Sequence, residues 1–311
     1  MPGIAIRLPG ILGVRRSLDK TADRRPSAAT RGGGGSPAGP QAVVLPTPSF
    51  GATDLLAWWD VAKSFTDSDG ATVSSAFYDA LGYNTVAAIE DMTGNGYGLI
   101  QGDKSLQPLK GGAGGMVTDI AAHVLSSGRK ALINSKGKLT VGMRVKPRSD
   151  LTVTGSARTL FYISRSTNTA NIRAAISLNG STTGRRLFAD YGVADSATAG
   201  DSVSTPPASG PQLTNDAFNT VIVEFDLSAS PCTCSFYLNS TSAGYTDTGL
   251  TPVTGSAPFA FGSSDSLLIQ LGDNSGGTRP SLCEIVACVV IGDVKDATFR
   301  ANLKSYLDGV A

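Results

Sequence analysis

One histidine, four cysteines and two tryptophans are few for a chain of 311 residues, and each scarcity excludes a chemistry. The lone His123 cannot complete a zinc cluster with the cysteines present. Those cysteines occur as Cys232-x-Cys234 and as Cys283 and Cys288, and neither spacing is the two-residue step of a zinc knuckle. Side chains alternate along a strand, so Cys232 and Cys234 share a face, whereas Cys283 and Cys288 are expected on opposite faces. Buried free thiols are expected, with one cross-strand disulfide as the alternative. No run approaches the ~20 apolar residues of a membrane helix, so membrane insertion is not expected. Arg7 and Pro9 interrupt the opening segment, and no signal peptide is read there. Gly111-Gly112-Ala113-Gly114-Gly115 lacks the Lys-Ser/Thr of a phosphate-binding loop and reads as a flexible connection. No cofactor and no metal is expected.

What the chain does hold is 37 glycines and 16 prolines, with abundant Ser and Thr and only 16% charged residues. That is the composition of a turn-rich, all-β protein. The net charge of +1 is unevenly spread. Residues 1–45 carry seven Arg or Lys against Asp19 and Asp23, a charge of +5, which leaves about −4 on the remainder. Residues 1–20 mix apolar and basic positions around Pro and Gly. Residues 21–45 are rich in Gly, Ser, Pro and Arg, the composition of a flexible linker. The folded body is expected over 46–311. The arm has no aromatic residue among its basic ones, so sequence-specific nucleic-acid binding is not expected.

Within the body, short apolar runs separated by turn signals suit a β-sandwich. Strands are predicted over 55–60, 88–91, 138–146, 158–164, 172–178, 186–190, 220–226, 234–238, 266–271 and 283–291. Over 138–146, Leu139, Val141, Met143 and Val145 alternate with polar residues, which predicts a half-buried strand. The C-terminus is different. Asp296 is a natural N-cap, Phe299, Leu303, Tyr306 and Leu307 form one helical stripe, and Gly309 supplies a stop, so a helix is predicted over 296–308.

The motif Asp91-Met92-Thr93-Gly94-Asn95-Gly96 follows Leu56-Ala57-Trp58-Trp59-Asp60 and precedes Gln107-Pro108. Gly94 and Gly96 can take positive φ, Asn95 tolerates it, and Asp91 can cap the loop amides. Continued by LTVGMRVKP, FNTVIVEFDL, SFYLNS, LLIQLGDN, CEIVACVVIG and a helix ending in Tyr-Leu, this order resembles the laminin-G-like domains of the concanavalin A-like lectin/glucanase group. Such domains are common in bacteriophage virion proteins. The resemblance covers roughly residues 53–309. It implies an all-β fold, an antiparallel jelly-roll β-sandwich of concanavalin A-like type, with an extended N-terminal arm and a short C-terminal helix. It also implies a non-enzymatic structural protein of a phage-like virion, a tail, collar or head fibre or a decoration component, made in the host cytoplasm and localised to the virion.

In that reading Ile4, Ile6, Arg7, Leu8, Ile11, Leu12, Arg15 and Arg16 anchor the arm to other virion proteins and order on docking. A homo-oligomer is expected, a trimer being the common state of fibres. Host glycans are the expected partners of the sandwich. Stacking on a sugar needs an accessible aromatic, and Tyr97, Tyr191 and Tyr245 lie in loop-like contexts, with Asp273 and Asn274 as hydroxyl-binding groups. Trp58 and Trp59 alternate, so at least one belongs to the core.

Two catalytic patterns are incomplete. Glu224 and Asp226 share a strand face, as glucanase carboxylates do, but the next alternate position is Ser228, and the solvent face of an amphipathic strand is their expected place. The segments around His123 and over 272–277 are similar to those of trypsin-like proteases, but Asn274 between Asp273 and Ser275 displaces the serine and its oxyanion amides. Asp67, Asp69, Asp273 and Asn274 complete no calcium loop. The alternatives to a virion protein are a free carbohydrate-binding module and a glycan-cleaving hydrolase.

Overall fold

The computed structural model describes residues 48–310, apart from 52–53, 62–63, 67–71, 75, 79–84, 102, 120–123, 128–129, 132–136, 151–156, 165–171, 180–184, 193–201, 205–209, 227, 229–231, 251–265 and 274–279. The arm with its anchoring positions from Ile4 to Arg16, and also His123, Asn274, Asp67 and Asp69, lie outside the described residues.

Among the described residues, twenty strands follow in chain order: β1 Leu55–Asp60, β2 Ser64–Thr66, β3 Thr72–Ser74, β4 Ala76–Tyr78, β5 Val86–Ile89, β6 Leu99–Ile100, β7 Leu109–Lys110, β8 Met116–Val117, β9 Leu125–Ser127, β10 Lys130–Ala131, β11 Lys138–Pro147, β12 Ala157–Ser164, β13 Ile172–Asn179, β14 Arg186–Gly192, β15 Ser202–Ser204, β16 Asn219–Asp226, β17 Cys232–Leu238, β18 Tyr245–Leu250, β19 Ser266–Leu271 and β20 Cys283–Ile291. Helix α1, Ala297–Asp308, closes the chain. An eight-stranded sheet runs β18-β17-β16-β11-β20-β8-β7, with β1 also on β20. A ten-stranded sheet runs β15-β14-β13-β12-β19-β9-β6-β5-β4, with β10 also on β19. Every pairing between named strands is antiparallel. The chain passes from β11 to β12 and from β19 to β20, crossing between the two sheets each time, as in a jelly-roll sandwich.

The two sheets bury one core between them. Leu139, Val141, Met143 and Val145 of β11, with Val221, Val223 and Phe225 of β16, belong to the same cluster as Phe161, Ile163, Ile176, Leu187, Ile269 and Leu271 of the other sheet. The period of two puts these residues on one face. The alternation is reset once in β20. Arg144 pairs with Ala287 but Val145 pairs with Ile285, so Val286 is an extra, bulged residue. Cys283, Ile285, Cys288 and Val290 therefore all face the inter-sheet core. This overturns the expectation that Cys283 and Cys288 oppose each other. Cys234, Cys283 and Cys288 are free and buried, and burial pushes the Cys283 thiol up to about 12.

The other face of the eight-stranded sheet is also apolar and carries α1. Leu303 and Leu307 seat on Phe50, Trp58, Met92, Ile222, Tyr237, Ala287, Val289 and Ile291. On this side β11 is buried at Thr140 and Gly142, beneath the helix, and half-buried at Lys138, Arg144 and Lys146. Gly142 lies beneath the helix, where a Cβ would stand 2.9 Å from Leu303 Cδ2 and 3.1 Å from Leu307 Cδ1. Asp296 caps α1 by accepting the Phe299 amide at 2.8 Å. Gly309 ends it with φ −82°, so the stop needs no left-handed turn.

Several polar groups under the helix are paired. Trp58 Nε1 donates to the Tyr306 hydroxyl at 2.7 Å, and that hydroxyl donates to Asp60 Oδ2 at 2.6 Å. Burial and the neighbouring Asp60 carboxylate hold the Tyr306 phenol far above its ordinary range. Glu224 is buried at 4% exposure, not on a solvent face as expected. It accepts the Tyr237 hydroxyl at 2.9 Å and pairs with Arg300 Nη1 at 3.3 Å, while the guanidinium stands 4.7 Å from the centre of the Tyr237 ring. Burial first, and Glu224 second, push the Tyr237 phenol up to about 12.

The Asp91 motif latches onto β1. Asp91 Oδ1 accepts the Trp58 amide at 3.2 Å and the Thr93 amide at 3.0 Å, and Oδ2 accepts the Tyr97 amide at 2.9 Å. Asn95 Nδ2 donates to the Leu55 and Leu56 carbonyls at 3.0 Å each. Gly94 and Gly96 take φ of 77° and 78°. The glycine run at 111–115 is an ordered turn between β7 and β8 rather than a flexible connection. Gly111 donates to the Gly115 carbonyl at 2.7 Å, and the Ala113 amide donates to Glu284 Oε1 at 2.8 Å. Side chains at 111 and 115 would collide with Glu284.

Three stability outcomes follow from these contacts. Gly142→Val forces α1 off its seat and costs about 1–3 kcal/mol in urea unfolding. Glu224→Gln strands the Arg300 charge and costs about 3–5 kcal/mol, and adding Arg300→Met restores most of the loss. Asp91→Ala orphans the Trp58 amide of β1 and the Thr93 and Tyr97 amides of the turn, and costs on the order of 3 kcal/mol.

Candidate functional site

The sequence-derived glycan residues do not assemble into a surface. Tyr97 belongs to the inter-sheet core at 5% exposure, and its carbonyl accepts Trp59 Nε1 at 2.8 Å. Its ring therefore has no exposed face to stack on a sugar, which corrects the expectation for it. Tyr191 is not in a loop but in β14, opposite Ala174 and Val203. Tyr245 opens the edge strand β18, half-buried, with its ring 6.1 Å from that of Phe236. Asp273 is fully buried immediately after β19. Both tryptophans are core, Trp59 between the sheets and Trp58 under α1.

The carboxylates at 224 and 226 are each held by structural partners. Glu224 is bound by Arg300 and Tyr237, and Asp226 pairs with Lys138 at 3.1 Å and accepts the Ser228 hydroxyl at 2.6 Å. Among the described residues, no group of three or more His, Cys, Asp or Glu is arranged to hold a metal ion. No helix of the described residues is long and apolar enough to cross a membrane.

A different constellation emerges from strand register. In the ten-stranded sheet, Leu99, Leu125, Leu271, Ile269, Phe161, Ile163, Ala174, Ile176 and Ala189 face the core. The intervening residues take the outer face. Across seven strands they stand directly opposite one another: Ala88 and Ile100, Ile100 and Ser126, Ser126 and Gln270, Gln270 and Tyr162, Tyr162 and Ala175, Ala175 and Asp190. At about 4.8 Å per strand the row spans roughly 29 Å.

Exposure falls along it. Ile100 is 51% exposed, Ala88 and Ser126 are half-buried, and Gln270, Tyr162 and Asp190 are 5%, 2% and 8% exposed. Gln270 Nε2 donates to Ser126 Oγ at 2.9 Å, and Gln270 Oε1 is buried with no hydrogen-bond partner among the described residues. Turning the amide over would leave the NH2 without one instead, so one end is unpartnered either way.

The row contains two hydroxyls, an amide, a carboxylate and an aromatic ring, and no cation. A polar row that holds no lysine or arginine opposes a phosphate or another anion. Sequence reasoning missed these residues because Gln270 in LLIQLG and Tyr162 in TLFYIS read as ordinary strand positions. Only the pairing of β19 with β9 and β12 makes neighbours of positions 126, 162 and 270.

No family model matches the chain, and a search of curated proteins finds no match. Among solved structures the chain is similar to domain 4 of AbnA, a GH43 extracellular arabinanase from Geobacillus stearothermophilus solved with arabinotriose, at 13% identity over 81% of this chain and 98% of that one, with a TM-score of 0.46. It is similar to the binding domain of Paraclostridial Mosquitocidal Protein 1 at 12% identity over 81% of this chain and 52% of that one, with a TM-score of 0.48. A GH54 α-L-arabinofuranosidase matches at 14% identity over 85% of this chain and 60% of that one, with a TM-score of 0.46. At such identities and TM-scores, none of these likenesses bears on what this chain binds or does.

Proposed function

We propose that this chain is a non-enzymatic structural component of a phage-like virion that displays its sandwich for contact with host-surface glycans. The observation that carries the glycan reading is the polar row through Ser126, Gln270, Tyr162 and Asp190, which holds no lysine or arginine. The virion reading rests on the motif order and on an arm of net charge +5 ahead of a body of about −4. In this reading the arm docks on other virion proteins through Ile4, Ile6, Leu8, Ile11 and Leu12, with Arg7, Arg15 and Arg16 meeting acidic groups. The glycine-rich linker then holds the sandwich outside the particle. Several copies on one particle, a trimer or more, turn weak single contacts into firm attachment by raising effective concentration. Glu224 and Asp226 serve the fold and have no catalytic role.

Removing residues 1–41 tests the division of labour. The shortened chain is expected to remain folded and soluble, to keep the glycan-array pattern of the full chain, and to be missing from purified particles. A truncated chain that still enters the particle, or a full-length chain that never does, refutes the anchoring role and leaves a free carbohydrate-binding module as the better reading.

A further inference from the structure

The start of the body is fastened at successive points from Phe50 to Asp60. Phe50 is 1% exposed among three rings, its centroid 5.6 Å from that of Trp58, 5.1 Å from that of Tyr306 and 6.2 Å from that of Phe299. The Asp54 carbonyl accepts the Gly292 amide at 2.8 Å, and its carboxylate pairs with Lys295 at 2.7 Å. Among the described residues β1 pairs with no strand but β20. The turn from Asp91 to Gly96 closes its other edge in place of a strand. Asn95 Nδ2 donates to the Leu55 and Leu56 carbonyls, Asp91 Oδ1 accepts the Trp58 amide, and the Met92 amide donates to the Trp58 carbonyl at 2.8 Å. At the far end of β1, Asp60 accepts the Tyr306 hydroxyl.

We infer that Phe50 and β1, with the turn from Asp91 to Gly96 and Tyr306, form a joint that takes tension applied through the N-terminal arm. A tether passes any pull into the body through this one segment, so its fastenings are met in chain order, Phe50 first. Drawing Phe50 out exposes its apolar ring to water and breaks three ring contacts. Behind it, Asn95 spans two successive carbonyls, so the first residues of β1 cannot slide along the turn without losing both bonds. A strand bonded on one edge peels away from that edge alone, whereas β1 must be freed from β20 and from the turn. The core has reason to be shielded here. Ala57 and Trp59 belong to the inter-sheet cluster and Trp58 to the one under α1, so loss of β1 opens both to water. This inference rests on the anchoring reading above and adds to it the residues that withstand the pull.

The test is constant-force spectroscopy on the isolated full-length chain in two geometries. Handles at Met1 and Ser242 load the joint, and handles at Lys110 and Ser242, both exposed, do not. Pulled through Met1, the wild-type chain is expected to hold its joint until the sandwich itself unfolds. Phe50→Leu and Asn95→Ala are each expected to raise the unfolding rate at a given force about tenfold in the first geometry, the effect of losing ring contacts or two hydrogen bonds, and by much less in the second. An equal rise in both geometries shows that these residues serve overall stability alone and refutes the joint. A wild-type joint that comes away at low force, before the sandwich unfolds, refutes it as well. The measurement needs no particle, so it decides the joint separately from the anchoring reading, which the removal of residues 1–41 decides.

Discussion

Strand β20 is buried at all nine of its positions, and that one fact governs the architecture. Cys283, Ile285, Cys288 and Val290 need cover on one side, and Ala287, Val289 and Ile291 need it on the other. The ten-stranded sheet supplies the first and α1 the second. A sheet with two apolar faces has no stable form with either left in water, so the last helix is part of the fold and not an appendage. Gly142 shows how closely the cover fits, since even one methyl group there would press on Leu303.

Covering a sheet twice creates a polar problem, because residues that would face water on a half-buried sheet are enclosed. The molecule answers it with local pairs. Glu224 meets Arg300 and Tyr237, Tyr306 bridges Trp58 and Asp60, and Thr140 Oγ1 donates to the Asp293 carbonyl at 2.6 Å. Elsewhere Asp91 collects three amides, and Thr85 Oγ1 donates to Gln107 Oε1 at 2.7 Å. Buried groups left without partners are costly and correspondingly rare in native proteins. Gln270 Oε1 has no such partner among the described residues, as is also true of Arg144 Nε and Arg300 Nε, and it lies on the outer face of the sheet that α1 does not cover.

The two sheets therefore divide the work. One is sealed by the helix, and its carboxylates are spent on holding that seal. The other aligns a row of hydroxyl, amide and carboxylate groups by register on its outer face, half-buried at Ser126 and buried at Gln270, Tyr162 and Asp190.

Much of the fold was legible because it depends on short-range alternation. Strands at 55–60, 266–271 and 283–291 match prediction residue for residue, and the helix differs by one residue at its start. The Asp91 turn was also legible, since its glycines and its capping side chain act within six residues of one another. What failed involved partners distant in the chain. The Val286 bulge, visible only against β11, reversed the expected face of Cys288; α1 enclosed Glu224 and the middle of the polar side of β11; and the core took in Tyr97 from a loop. The candidate site belongs wholly to this second class, because positions 126, 162 and 270 become neighbours only through inter-strand hydrogen bonds. Local sequence determined which segments extend and where they turn, since those choices depend on near neighbours. Tertiary packing alone decided which face of each strand is enclosed, because that depends on what the other sheet and the final helix place against it.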